Sequence, residues 1–341
     1  RSQPELAIPG QLEELKKKMN RPVPELLQIT GDDTDMIVFV NSALGLPYEY
    51  KSNAPGRDDL AARAEDYAEL TVPAGGLALT AGVDVQHDRL AVQIWAWGRG
   101  EESWLVYWGE IAAKVNTIDK NDPVWQDLDK LLFTPIPHEH GYRLITQAVS
   151  IDSGDGGTND AVYHYARARQ HRGVMATKGL SADYGQREIY SLPRKIDHKN
   201  KTKAAKYGLQ VFTIGTHKAK DLLIGDRGRL SLTGRGPGRM HWYKDVRADF
   251  YDQITAEVKA PHRSIRGKLI WQPRAGVRNE GLDCAVGALH AARSIKVHVM
   301  GDAQWDALEA KLKQVDLFQA PTQPITDPLP SRRRVISKGI Q

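Results

Sequence analysis

Between residues 79 and 110 the chain shows three short runs in which β-branched and aromatic residues dominate. They read LTAGVDVQ (Leu79 to Gln86), LAVQIWAWG (Leu90 to Gly98) and SWLVYWGE (Ser103 to Glu110). Such residues suit a pleated, half-buried surface, and the short connections between the runs predict an antiparallel meander. The pattern then changes period. Pro123 to Phe133 reads as a helix, and AVSID (Ala148 to Asp152) as a fourth strand that ends in the turn residues SGDGG. Asn159 to His171 has helical spacing through Val162, Tyr165, Ala166 and Arg169, and Val174 to Thr177 is a fifth strand closed by Lys178 and Gly179. Three strands in a meander followed by crossovers to parallel strands make an α/β fold: a ribonuclease H-like mixed sheet flanked by helices.

Further along, Leu209 to Ile214 is strand-like and Lys218 to Leu230 helical. Phe250 to Glu257 predicts a short helix, and Glu257 to Pro261 with Lys268 to Gln272 a hairpin. From Glu280 to Arg293 the apolar residues Leu282, Ala285, Val286 and Leu289 fall at i, i+3, i+4 and i+7, the stripe of a helix laid on a core. Trp305, Leu308, Leu312 and Val315 share a face of one more helix. Short helical stretches are also expected at Gln11 to Met19 and Asp58 to Glu69. Pro73, Gly75 and Gly76 mark a boundary by turn chemistry. Three zones result: 1–75, a sheet-containing domain over 76–298, and 299–341, which ends in a proline-rich stretch and a basic tail at Arg332, Arg333 and Arg334.

Composition narrows the setting. At 341 residues, 41% hydrophobic and 26% charged, the chain has enough apolar material for a packed core. Its apolar runs are too short and too interrupted to cross a bilayer, so no membrane partner is expected. One cysteine, Cys284, excludes an internal disulfide and a multi-cysteine zinc site, and its apolar helical surroundings predict an inert buried thiol. A reducing, cytoplasmic setting follows. The net charge of +5 is compatible with nucleic acid. Its local distribution is more telling. The segment PRKIDHKNKTKAAK carries Arg194, Lys195, Lys199, Lys201 and Lys203, which makes either a solvated loop or one that reaches DNA phosphates. Lys178 and the hairpin cations Arg263, Arg266 and Lys268 are further candidates for backbone contact.

Three aspartates stand out. Asp84 lies in the middle of the first strand, on the face of Gly82 and Gln86 and opposite Val83 and Val85. A carboxylate there is costly to desolvate unless a cation, either a metal or a basic side chain, pairs with it. Asp152 closes the fourth strand, where a parallel sheet delivers ligands, although an Asx-turn would use it equally well. Asp155 is a possible substitute for it. Asp283 sits beside the apolar stripe at the start of its helix, and Glu280, three residues earlier, suits the helix dipole. Converging carboxylates are what two-metal phosphodiester hydrolysis requires, and hard ions such as Mg²⁺ prefer oxygen ligands. His138 and His140 have metal-like spacing around Glu139, but read as surface residues. His290 reads as core or helix-end packing.

The segments LTAGVDVQHDRLAVQIWAWGRGEESWLVYWGEI, VSIDSGDGGTNDAVYHYARAR, VMATKG, DFYDQITAE and NEGLDCAVGALHAA occur in this order. They resemble the nuclease part of the lambda-like (GpA) terminase large subunits of tailed phages. FVNSALGLPYEY (Phe39 to Tyr50) resembles the piece joining their ATPase and nuclease parts. The resemblance spans roughly residues 35 to 295. It implies an endonuclease dependent on two Mg²⁺ or Mn²⁺ ions that cuts concatemeric viral double-stranded DNA in the host cytoplasm, with Asp84, Asp152 and Asp283 as its catalytic and metal-binding acids. It also implies a portal partner near Arg332 to Arg334, a small terminase subunit as partner of the full-length enzyme, and residues 1–75 as a linker from an ATPase that precedes this fragment. The chain has no G-x-x-x-x-G-K-[ST] phosphate loop. Two alternatives remain: a DNA-binding and portal-docking module with little intrinsic catalysis, and another ribonuclease H-like nuclease such as a resolvase.

Overall fold

The computed structural model divides into two units, Arg1–Lys51 and Ser52–Gln341. It describes residues 54–180, 185–193, 207–262, 265 and 268–316. The expected helix at Gln11 to Met19, the FVNSALGLPYEY segment, the basic loop from Arg194 to Lys203 and the tail at Arg332 to Arg334 lie outside those residues.

The first short helix, α1 (Arg57–Ala61), covers only the start of the stretch expected to be helical up to Glu69. Beyond it the backbone turns away, and Glu65 bridges to Tyr243 instead. The meander follows as expected: β1 (Ala78–Val85), β2 (Arg89–Trp97) and β3 (Ser103–Ala112). Next come α2 (Val124–Phe133), a small hairpin of β4 (Ile136–Pro137) and β5 (Arg143–Leu144), β6 (Thr146–Asp152), α3 (Asn159–Ala168) and β7 (Val174–Leu180). The strand β8 (Phe212–Gly215) leads directly into α4 (Thr216–Ile224). This helix is shorter than its sequence pattern. It stops at Gly225, where a side chain would strike the Asp221 carbonyl. A strand that periodicity missed, β9 (Met240–Trp242), precedes α5 (Asp249–Ile254). The hairpin of β10 (Glu257–Pro261) and β11 (Leu269–Pro273), then α6 (Glu280–Ser294) and α7 (Asp302–Asp316), complete the described chain.

Seven strands form the main sheet in the order β8-β7-β6-β1-β2-β3-β9. β1, β2 and β3 are antiparallel, while β6, β7 and β8 continue from β1 in parallel. This is a mixed α/β, ribonuclease H-like sheet with helices on both faces. On one face Leu79, Ala81, Val83 and Val85 of β1 pack with α2 and α3 through Val124, Leu128, Val162 and Tyr165. On the other, α6 packs with α4 and α5, and Trp305 of α7 is buried in the same cluster. Period-two alternation in β1 therefore assigns Thr80, Gly82 and Asp84 to the α6 face. Two of the expected strand positions shift. β7 continues to Leu180 because β8 pairs with it, so Lys178 lies inside the strand, opposite Thr213. β1 ends at Val85, so Asp84 is its next-to-last residue, not a central one.

Candidate active site

Glycine sets the distance between sheet and helix. A side chain at Gly82 of β1 would lie 1.9 Å from the Cys284 carbonyl oxygen of α6, and one at Gly287 would lie 3.1 Å from the Gly82 Cα. The hydroxyl of Thr80 donates to the Ala288 carbonyl at 2.8 Å, which ties the same strand face to α6. This close approach brings the first turn of α6, including Asp283, to the carboxyl end of β1.

Register supplies the second acid. Val83 pairs with Ile151 across the parallel β1–β6 interface, so Asp84 and Asp152 stand side by side, one inter-strand spacing of about 4.8 Å apart. Ser150 meets His290 of α6 at 2.7 Å, so Ser150 and, two residues on, Asp152 share the α6 face. Asp84, Asp152 and Asp283 thus occupy one end of the sheet, and their charges act on one another. Burial and the nearby Asp283 raise the Asp84 carboxyl to about 7, Asp152 and Glu280 add to the rise, and a 2.7 Å hydrogen bond from the Gln86 amide opposes it. Burial also raises Asp152, against the backbone N–H groups of Gly154 and Ser153 and the charge of Lys178. Asp283 is raised by burial and by Glu257 and Asp152, against Lys220.

Two charged clusters that the sequence pattern did not announce frame these acids. In the first, Lys220 of α4 lies 2.6 Å from Glu257 and 3.2 Å from Asp283. Asn279 closes the ring, its amide donating to Glu257 at 3.0 Å and to Asp283 at 2.9 Å. A signal was available: Lys220 falls on the buried stripe of α4 with His217, Leu223 and Ile224. A lysine on an apolar stripe needs a buried acid. In the second cluster, Glu280 is buried and accepts from Arg89 and Arg278, and Arg278 and Arg247 also reach Glu110. Glu280 is thus held by Arg89 from the distant β2 and by its near neighbour Arg278, not by the helix dipole alone.

Of the remaining candidates, Lys178 and Asp155 stand close enough to act on the Asp152 charge. Asp155 is exposed and bonds His87 at 2.8 Å. Lys178 is exposed on β7 and close enough to Asp152 to lower it. Lys268 is at the opposite end of the β10–β11 hairpin from Glu257. Arg263 and Arg266 lie outside the described residues. Glu139 and His140 are exposed, as expected for the PHEHG segment, but His138 is not. It is buried, bonded to the Gly76 carbonyl at 2.9 Å and stacked on Tyr142, because the β4–β5 hairpin folds back over it. Glu139 accepts from the Ala74 backbone. Cys284 is buried, and its thiol is pushed well above its ordinary range by that burial.

His290 is wholly buried, and desolvation lowers it to about 3. On acidification the unfolded chain takes up this proton near pH 6.5 while the folded chain does not, so stability is lost as pH falls from there towards 3. A His290→Gln variant is expected to show a shallower loss between pH 6.5 and 4, by up to about 1.4 kcal/mol per pH unit. Urea unfolding across that range checks it. Parallel curves for the two proteins would contradict it.

The three acids fit divalent ions in donor type and charge: they offer only hard oxygen, and Asp84 carries a raised carboxyl with a neutral amide as its hydrogen-bond donor. Among the described residues, however, no group of three or more His, Cys, Asp or Glu is already spaced to hold a metal ion. Asp283 is engaged by Lys220 and Asn279 instead. Likewise no helix among them is long and apolar enough to cross a membrane.

Known proteins agree with the resemblance. A family model described as "Terminase large subunit gpA, endonuclease domain" matches residues 9–305. The chain is 30% identical over 284 residues to a protein named "Terminase, large subunit" of Escherichia phage lambda. It is 26% identical over the same length to a protein of that name from Enterobacteria phage P21. Each match covers 80% of this chain and 41% of the relative, so the matched part is less than half of those proteins. No solved structure matches the chain with significance.

Proposed function

Because the chain belongs to the terminase large subunit gpA endonuclease family, we propose that it is a metal-dependent endonuclease that cuts viral double-stranded DNA during genome packaging. The observation that carries this reading is the meeting of Asp84, Asp152 and Asp283 at one sheet end, with Asp84 raised to about 7 by burial and its acidic neighbours. Asp84 and Asp152 project from adjacent strands and would hold cations between them, and Asp283 would close the site from α6. Two divalent ions bound there would supply charge stabilisation at the scissile phosphate and a more acidic attacking water. The protein's own part is placement. Gln86 orients Asp84, the Gly154 backbone orients Asp152, and Lys220 with Asn279 orients Asp283.

The test has two readouts. Plasmid cutting is expected with Mg²⁺ or Mn²⁺ and to stop with chelator. The midpoint of thermal unfolding is expected to rise with added Mn²⁺, since a ligand at a hundred times its Kd stabilises the fold by about 2.7 kcal/mol. Cutting undiminished by chelator would end the metal reading. A second reading, a DNA-binding and docking module with little intrinsic catalysis, draws on the lysine already seated on Asp283. It predicts salt-sensitive duplex binding without any cutting.

A further inference from the structure

The connection between β3 and α2, residues 113–122, lies at the end of the sheet where β1 delivers Asp84 and has a built interior. The buried Asp122 carboxylate accepts from the backbone N–H groups of Lys114, Val115, Asn116 and Val124 at 2.8–3.3 Å. The side chain of Asn116 accepts from the backbone of Asp119, and the Trp125 indole donates to the Asp119 carbonyl. Thr117 is buried and pins the loop to the residues that follow β1: its hydroxyl donates to the Gln86 carbonyl at 2.5 Å and its N–H to the His87 carbonyl at 3.0 Å. Gln86 in turn donates to Asp84. The loop is therefore fastened two residues from the central acid.

What this braced loop shows to solvent is two apolar side chains close together between lysines. Val115 is 74% exposed and Ile118 46% exposed, either side of the Asn116 turn. Lys114 and Lys120 flank them and are exposed, as is Asp119 beside Lys120, so the stretch carries a net charge of one cation. A loop held this firmly by a buried carboxylate has no need of apolar tips for its own folding. We propose that residues 114–120 form a DNA-contacting rim of the site, Lys114 and Lys120 meeting phosphates and Val115 and Ile118 pressing apolar surface against the sugars and base edges of a groove. The partner follows from the combination: apolar wedges between cations, on a rigid support, suit a duplex whose groove is lined by phosphates. The proposal rests on the nuclease reading, for it assumes that DNA reaches the acids across this rim.

The experiment measures duplex binding by fluorescence anisotropy in chelator over a salt series, and cutting with Mn²⁺, for the full chain and two double variants. Val115→Ser with Ile118→Ser is expected to weaken binding about tenfold with the slope of log K against log salt unchanged, since apolar groups release no counterions. Lys114→Gln with Lys120→Gln is expected to reduce that slope by about 0.9 for each phosphate that is no longer neutralised. All four side chains are exposed, so thermal unfolding of both variants should match the parent. The rim is refuted if the Val115→Ser, Ile118→Ser protein binds duplex within about twofold of the parent, and equally if the lysine variant keeps the parent's slope. A parent that binds but never cuts would overturn the nuclease reading and leave the rim standing. A parent that does not bind duplex would overturn both.

Discussion

Replacing Asp84 with asparagine is expected to reduce plasmid cutting by a factor on the order of 10² or more, because loss of charge stabilisation at the reacting phosphate is worth several kcal/mol. The same substitution is expected to stabilise the metal-free protein. Burial and the charges of Asp283, Asp152 and Glu280 raise Asp84 to about 7 in the folded state, whereas the unfolded carboxyl titrates near its ordinary 3.8. For an acid raised by folding, the folded chain binds the extra proton between those two values, so stability falls as pH rises from about 4 to about 7. Asparagine has the same shape, still meets Gln86, and does not titrate. The parent's loss over that interval should therefore flatten in Asp84→Asn, leaving the variant more stable at pH 7 by about 1–3 kcal/mol after allowance for solvent screening at a half-buried site. Metal-free thermal unfolding at about pH 5 and pH 7, alongside plasmid cutting, reads both effects. Undiminished cutting would remove Asp84 from the site. A variant less stable than its parent at neutral pH would mean that something other than acidic neighbours holds that side chain.

The largest stability effect is expected at Lys220. Its ammonium is buried and lies between the carboxylates of Glu257 and Asp283. Lys220→Met removes the cation, keeps most of the apolar stem, and leaves two acids facing each other with only the Asn279 amide between them. Breaking one side of a buried ion pair costs about 3–5 kcal/mol, since the partner charge stays desolvated. At this chain length that corresponds to a fall of roughly 10 °C in the unfolding midpoint. Combining Lys220→Met with Glu257→Gln should recover part of the loss, because one of the two stranded charges goes with it. Denaturant unfolding of the two variants tests the claim. A loss below about 1 kcal/mol in Lys220→Met would show that the ring is water-filled and its charges screened.

Much of this protein is legible along the chain. The three runs from Leu79 to Glu110 became β1, β2 and β3 because period-two alternation and short turns leave few other ways to bury their aromatic and branched residues. The stripe through Leu282, Ala285, Val286 and Leu289 became α6, and those residues are buried. The choice of Asp84, Asp152 and Asp283 as candidates was also open to sequence reasoning. Each breaks or ends an otherwise apolar element, which makes it visible in the sequence, while its partners come from the fold.

What periodicity did not reveal was set by packing between distant segments. The three residues of β9 carry too little pattern to be read, and they are a strand because β3 offers an edge to pair with. Where β1 ends, and hence that Asp84 sits at its mouth, was decided by the turn back into β2. His138 is buried because a short hairpin closes over it, which no local pattern records. Lys220, Glu257 and Asn279 come from three separate segments, and only the packing of α4 and β10 around the start of α6 makes them a ring. Sequence alone determines which apolar residues must leave water and with what period they recur. It does not determine which buried charge will find which partner, because that depends on distances set only when the layers close.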